Sequence, residues 1–278
     1  MKIIRWDYLG NPETASLIDS LCKNRKGTAL TIGGFDGPHL GHSALFRAVR
    51  DAAARMNLAS GIVTFIRSPG VSKAPFQYPG DVSTLDLRLN RFAAEDFDFV
   101  LLIDFSGDFG KMSGGVFFDI LVKTVRMRYV AVGPDFRCGH RLDTGAAEIS
   151  AIACREGFLF DSIRQVELDG LRISSSTVRR AVQSADFALA ERLLGHPFLL
   201  DFTAPEWVAA GNGLAARTGS FTQILPRWGV YPVVLHTVSG KDVPASLQVA
   251  EDSVTVIPDD GQKIPATGSI TTAQFRLS

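Results

Sequence analysis

Two histidines three residues apart, His39 and His42, stand in the stretch Thr28-Ala29-Leu30-Thr31-Ile32-Gly33-Gly34-Phe35-Asp36-Gly37-Pro38-His39-Leu40-Gly41-His42. An imidazole donates hydrogen bonds and gains charge close to neutral pH, so a pair of them suits an anionic ligand. Residues three apart share one side of a helical turn. The glycines among them lack the Cβ that would hold a ligand away from the backbone. Residue types and spacing together suggest a phosphate site; the plainer alternative is a tight turn carrying two surface histidines. The stretch is not a P-loop, because Gly-Lys-Ser/Thr is missing, and its glycine spacing is not that of the dinucleotide fingerprint.

The flanking elements would position these groups. Ala29 to Ile32 is a short apolar run that reads as a buried strand, and the Gly-Gly and Asp-Gly-Pro steps end it. Leu45, Val49, Ala52 and Met56 then recur at helical spacing, which predicts a helix over about His42 to Met56. A strand that hands over to a helix leaves amide groups and the positive end of the helix dipole at the junction. Met1 to Trp6 reads as an edge strand, and Ser60 to Phe65, Phe97 to Phe105, Tyr129 to Val132 and Phe158 to Val166 read as further strands. Helical patterns lie between them, near Glu13 to Lys23, Thr84 to Ala94, Ser113 to Thr124 and Gly145 to Cys154. This alternation predicts a parallel sheet with helices packed on it. A last helix spans Asp186 to Leu194; from about Leu199 helical periodicity gives way to short branched runs such as Gly229 to Val234 and Ser253 to Ile257, which read as a small all-β domain.

Other strand ends carry polar groups suited to a ligand. Gly133-Pro134-Asp135-Phe136-Arg137-Cys138-Gly139 is a second glycine-flanked turn after a strand, where open parallel sheets bind ligands. Four hydroxyl residues, Ser174 to Thr177, precede Val178-Arg179-Arg180 at a helix start. One hydroxyl suffices for an N-cap, so four with two arginines read as a second polyanion site. Gly110-Lys111-Met112-Ser113-Gly114 reads as a loop with Ser113 near a helix N-terminus. The Pro-, Gly-, Gln- and Ser-rich segment from Ile66 to Gly80 reads as a surface connection or a lid over substrate.

Composition narrows the class. The chain has 278 residues, 46% of them hydrophobic, enough for a sizeable core. Lys plus Arg and Asp plus Glu number 29 each, so no global field gathers nucleic acid, and none is expected as a partner. No apolar run approaches the length of a membrane span, and the N-terminus lacks the apolar core of a signal peptide. Cys22, Cys138 and Cys154 are odd in number and widely spaced, which suits a reducing cytoplasm rather than a disulfide framework or zinc site.

The form Gly-Gly-Phe-Asp-Gly-x-His-x-Gly-His resembles the signature of bacterial FAD synthetase, the bifunctional riboflavin kinase/FMN adenylyltransferase family of the nucleotidyltransferase superfamily. Ile173 to Arg179 is similar to that family's Ile-Ser-Ser-Thr-x-Ile/Val-Arg, with Ser176 at the threonine position. The Gly133 loop is similar to its Val-Gly-x-Asp/Asn-Phe-x-Phe-Gly, with Cys138 for the second aromatic, and Gly195-His196-Pro197-Phe198 resembles the ending of its transferase domain. The resemblance covers about residues 28–198. It implies an α/β fold, a Rossmann-like parallel sheet with helices on both faces over residues 1–198. A small all-β, barrel-like domain over 199–278 would follow, resembling a degenerate riboflavin kinase barrel through Gly229-Val230-Tyr231.

The resemblance also implies a reaction: ATP and FMN giving FAD and pyrophosphate, with Mg2+ held through substrate phosphates and no protein metal ligands. It implies catalytic roles for His39, His42 and Arg179. The ATP contacts would be Gly33, Gly34, Phe35, Asp36, Gly37, His39, His42, Asp135, Ser175, Ser176 and Arg179. The FMN contacts would be Phe65, Ser68 and Pro69, with Ser68 standing where the family's Phe-Glu-Pro-His-Pro has its histidine. The kinase signature Gly-x-Pro-Thr-Ala-Asn is missing, no Pro-Thr pair occurs, and the tail is short for a complete kinase, so riboflavin kinase activity is expected to be absent. The alternatives are a bifunctional enzyme, a cytidylyltransferase or pantetheine-phosphate adenylyltransferase, and a flavin- or nucleotide-binding protein that no longer catalyses. Oligomeric state is not legible.

Overall fold

The computed structural model describes residues 1–67, 78–105 and 107–277. The chain forms two compact units that are not contiguous in sequence. The first takes Met1–Phe35, Gly41–Tyr78 and Leu89–Glu167; the second takes Asp36–Leu40, Pro79–Arg88 and Leu168–Ser278.

The first unit is built on a parallel sheet of β1 (Lys2–Arg5), β2 (Thr28–Ile32), β3 (Ala59–Phe65), β4 (Phe99–Ile103), β5 (Met127–Val132) and β6 (Leu159–Ser162), in the order β1-β4-β3-β2-β5-β6. Strands β2 and β4 are buried along their whole length, the mark of a parallel sheet covered on both faces. The helices are α1 (Pro12–Leu21), α2 (Leu40–Met56), α3 (Leu85–Ala94), α4 (Gly114–Lys123) and α5 (Ala146–Glu156). Leu30, Ile32 and Leu101 share a core cluster with Ile18 of α1, Phe118 of α4 and Ile149 of α5. A second aromatic layer joins Phe46 of α2 edge-on to Phe92 of α3 at 5.8 Å. Ser113 is the N-cap of α4 and accepts from the Val116 amide at 3.3 Å, as the sequence predicts.

Several boundaries differ from the sequence reading, among them the start of α2 and the end of β6. Helix α2 begins at Leu40, so His42 lies within its first turn. Strand β6 stops at Ser162, short of Val166, because its one partner β5 ends at Val132, the residue registered against Ser162.

In the second unit a two-residue hairpin, β7 (Glu167–Leu168) and β8 (Leu171–Arg172), turns through Asp169 and Gly170, both at positive φ. Helices α6 (Ser175–Gln183) and α7 (Phe187–Leu194) follow. The remaining strands are β9 (Leu199–Asp201), β10 (Val208–Ala210), β11 (Gly213–Arg217), β12 (Gly229–Thr237), β13 (Asp242–Val249), β14 (Ser253–Pro258) and β15 (Ile270–Phe275). They form a curled antiparallel half-barrel, ordered β10-β11-β14-β13-β12-β15-β9. Burial alternates along β13 and β14, so one face of the sheet carries the core. Phe187 of α7 stacks on Phe275 of β15 at 4.1 Å, which fixes the helix pair to the sheet.

Candidate active site

The sheet of the first unit changes direction around β2: the chain runs from β2 to β3 on one side and returns to β5 on the other. A crevice at the carboxyl ends of such strands is where open α/β sheets bind ligands. Strand β2 ends there in Gly33 and Gly34. The Gly33 amide donates to Val63 O at 3.1 Å, and Gly34 O accepts from Thr64 Oγ1 at 3.1 Å. Phe35 then turns back at φ 45° and is 3% exposed. A Cβ on Gly33 would fall 2.9 Å from the Phe35 ring, so glycine is needed for the ring to fold over. Phe35 packs edge-on against the half-buried His42 at 5.0 Å and holds that imidazole in the first turn of α2. Its observed work is in the core, behind the histidine.

Beside Gly33 and Gly34 lies a cavity of about 230 Å³. Its walls are Phe65 from the end of β3, Phe105, Phe109 and Met112 after β4, Phe117 of α4, and Phe136, Cys138 and Leu142 after β5. The rings interlock: Phe65 meets Phe105 at 5.6 Å, Phe105 meets Phe109 at 5.7 Å, and Phe109 meets Phe117 at 5.8 Å, all edge-on. Burial, with Asp143 nearby, pushes the Cys138 thiol up to about 12, so it is a neutral wall group at pH 7 rather than a nucleophile. This slot suits a flat aromatic ring system. Of the residues predicted for the flavin, Phe65 lines it, while Ser68 and Pro69 lie outside the described residues. Asp135 is exposed on the turn after β5 and accepts from Gln165 Nε2 at 2.5 Å; its neighbour Phe136 enters the cavity.

The second unit gathers the remaining polar groups. The buried Asp36 carboxylate accepts from Arg179 Nη2 at 2.5 Å, from the Val82 amide at 2.8 Å and from the Ser83 amide at 3.2 Å. Arg179 Nε donates to Gly80 O at 3.0 Å, and Ser175 Oγ donates to Asp36 O at 2.8 Å. Burial and the charge of Asp81 push the Asp36 carboxyl up, against the pull of Arg179 and the Ser83 amide. One buried carboxylate thus ties the start of α6 to the segment 79–88. Gly37, at φ +60°, lets that segment close in: a Cβ there would lie 2.3 Å from Val82 Cγ1. His39 is 5% exposed, and burial lowers its pKa to about 4, so it is neutral at pH 7. Ser174 caps α6 by accepting from the Thr177 amide at 3.2 Å, and Ser176 is exposed in the first turn.

Sequence reasoning missed two features. The aromatic slot was signalled by phenylalanines at 105, 109 and 117 around a segment read only as a loop. The Asp36–Arg179 pair was signalled by opposite charges in two motifs that were read separately. Among the described residues no three His, Cys, Asp or Glu side chains converge as metal ligands.

The FAD synthetase family profile matches residues 21–177. The chain is 32% identical over 224 residues to the bifunctional riboflavin kinase/FMN adenylyltransferase of Escherichia coli strain K12, covering 79% of this chain and 72% of that one. The chain belongs to the FAD synthetase family. The like-named Pseudomonas fluorescens protein is 33% identical over 235 residues, 82% of this chain and 74% of its own. Membership puts the chain among the transferases of FAD biosynthesis. A Streptococcus pneumoniae crystal structure described as a macrolide-efflux protein superposes with a TM-score of 0.75 at 22% identity, over 90% of this chain and 92% of that one. At that identity the likeness shows the fold alone. Among the described residues no helix is long and apolar enough to cross a membrane.

Proposed function

We propose that the protein transfers AMP from ATP to FMN, giving FAD and pyrophosphate, and that it has no riboflavin kinase activity. The observation that carries this reading is the aromatic slot, opening beside Gly33 and Gly34 at the switch point of a FAD synthetase sheet. A flavin ring would fill the slot, with Phe65, Ser68 and Pro69 on the FMN side.

The FMN phosphate is a monoester whose second pKa is about 6, so it is largely dianionic at neutral pH and needs no general base. One of its oxygens attacks the α-phosphorus of ATP in line. The new P–O bond forms as the bond to the bridging α–β oxygen breaks, and pyrophosphate leaves with that electron pair. The protein's task is to orient the reactants and neutralise charge. The Gly33–Gly37 backbone and Asp135 seat the nucleotide. His42 stabilises the α-phosphoryl transition state. His39, neutral by burial, contributes as a hydrogen-bonding group rather than a cation. Ser175, Ser176 and the N-terminus of α6 hold the departing phosphates, and Arg179, oriented by Asp36, lowers their charge. Mg2+ would arrive on the phosphate oxygens, consistent with an Asp36 carboxylate committed to Arg179 and two amides.

We assign adenylyl transfer to residues 1–198 and read 199–278 as a degenerate kinase-like barrel, because Gly-x-Pro-Thr-Ala-Asn is missing. Three free cysteines suit a cytoplasmic enzyme. The test is chromatography of purified protein with MgATP and either FMN or phosphopantetheine. FAD and pyrophosphate from FMN, with no transfer to phosphopantetheine, is the expected result; transfer to phosphopantetheine alone would overturn the reading.

A further inference from the structure

The first unit carries a second concavity at the opposite end of its sheet. It encloses about 520 Å³ and is lined by Arg25, Lys26, Lys123, Arg126 and Arg128, with Cys22 in its wall and no carboxylate. The lining comes from the C-terminal ends of α1 and α4, the loops that lead from them into β2 and β5, and Arg128 at the start of β5, whereas Gly33 lies just past the other end of β2. Five residues of strand, at about 3.3 Å each, separate the two by roughly 16 Å.

The charge balance there is uneven, although the chain's formal net charge is zero. Arg25 pairs with Asp98 at 2.6 Å, Lys123 with Asp119 at 2.7 Å, and Arg126 with Asp19. Lys26 and Arg128 have no carboxylate partner among the described residues. Five cations against three carboxylates leave two positive charges facing one concavity. Burial pushes the Cys22 thiol up although Arg126 and Arg25 pull it down, so the wall supplies no anion of its own.

The walls are also fixed. The Thr28 amide donates to Arg126 O at 2.9 Å, and Thr28 Oγ1 donates to Val125 O at 2.9 Å. A Cβ on Gly27, at φ +142°, would fall 2.4 Å from Arg126 O and 2.8 Å from Arg128 Cγ. Arg126 itself stands at φ 57°, a left-handed conformation that a non-glycine residue holds only when its surroundings enforce it. Arginine forks and a lysine ammonium on such walls match phosphate oxygens. A nucleic-acid strand would need an extended basic stripe rather than one concavity.

We propose that this concavity is a second anion site, separate from the catalytic centre, that takes a compact, multiply charged phosphate group. Such a group could be free pyrophosphate or the tail of a nucleoside triphosphate. The proposal does not rest on the FMN reading. Calorimetric titration of the full chain with inorganic pyrophosphate, and separately with GTP, compares the unaltered protein with Lys26→Gln/Arg128→Gln. Both side chains are exposed, and circular dichroism checks that the variant folds. The double variant is expected to lose one class of pyrophosphate site, with affinity at least tenfold weaker and the rate of FAD formation unchanged. Parallel loss of GTP binding assigns the site to a nucleotide tail; loss of pyrophosphate binding alone assigns it to free pyrophosphate. Identical isotherms for both proteins with both ligands would overturn the proposal.

Discussion

Replacing Asp36 by alanine removes a buried carboxylate that pairs with Arg179. The two side chains are 8% and 15% exposed and meet at 2.5 Å. Alanine takes the Asp36 charge away from the guanidinium, and breaking a buried pair from one side costs about 3–5 kcal/mol. The amides of Val82 and Ser83 lose their acceptor too, which keeps the total near the upper half of that range. For a chain of this size each kcal/mol moves the melting temperature by about 2–4 °C, so a loss of about 4 kcal/mol lowers it by about 8–16 °C. Urea unfolding and a thermal melt measure both quantities. Asp36→Ala/Arg179→Met removes both charges and should recover more than half of the loss, because an apolar replacement of a buried pair is often close to neutral. An Asp36→Ala protein within 1 kcal/mol of the parent, or a double variant less stable than the single one, would refute the reasoning.

Three further outcomes follow from the same geometry. His42→Ala removes a donor aimed at transition-state charge, typically worth about 2.7–4 kcal/mol, so turnover should fall by roughly a hundredfold or more; near-parental rates in a folded protein would take His42 out of the mechanism. Phe109→Ala opens the aromatic slot, so the KM for FMN should rise at least several-fold in steady-state assays while that for ATP holds, and the reverse pattern would place the flavin elsewhere. His39 titrates near 6.5 when unfolded and at about 4 when folded. Between those values the unfolded chain binds the extra proton, so stability falls as pH drops from 6.5 to 4. At about 1.4 kcal/mol per pH unit the loss is capped at about 3.5 kcal/mol. His39→Gln should flatten that part of a urea-unfolding pH series, and an unchanged slope would assign it to other groups.

The inner strands of the sheet were legible because they are largely buried on both faces and read as apolar runs, as in Phe99–Ile103. The glycine turn was legible from residue type, since Gly33 and Gly37 sit where a Cβ would collide with Phe35 and Val82. What stayed hidden depends on contacts distant in the chain. Phe105, Phe109, Phe117 and Phe136 become one slot only when β4 and β5 are placed in the sheet, and no local period announces that. Asp36 and Arg179 are separated by 143 residues, so neither motif discloses the other as its partner. Phe35 and His39 looked like ligand-facing members of a signature, yet burial gives the ring a packing role and keeps the imidazole neutral.

The most direct measurement supplies purified protein with MgATP and, in separate reactions, FMN or riboflavin, and resolves the flavins by chromatography. The account predicts FAD from FMN and neither FMN nor FAD from riboflavin. FMN or FAD formed from riboflavin would show a working kinase in residues 199–278, and no FAD from FMN would contradict the adenylyltransferase itself.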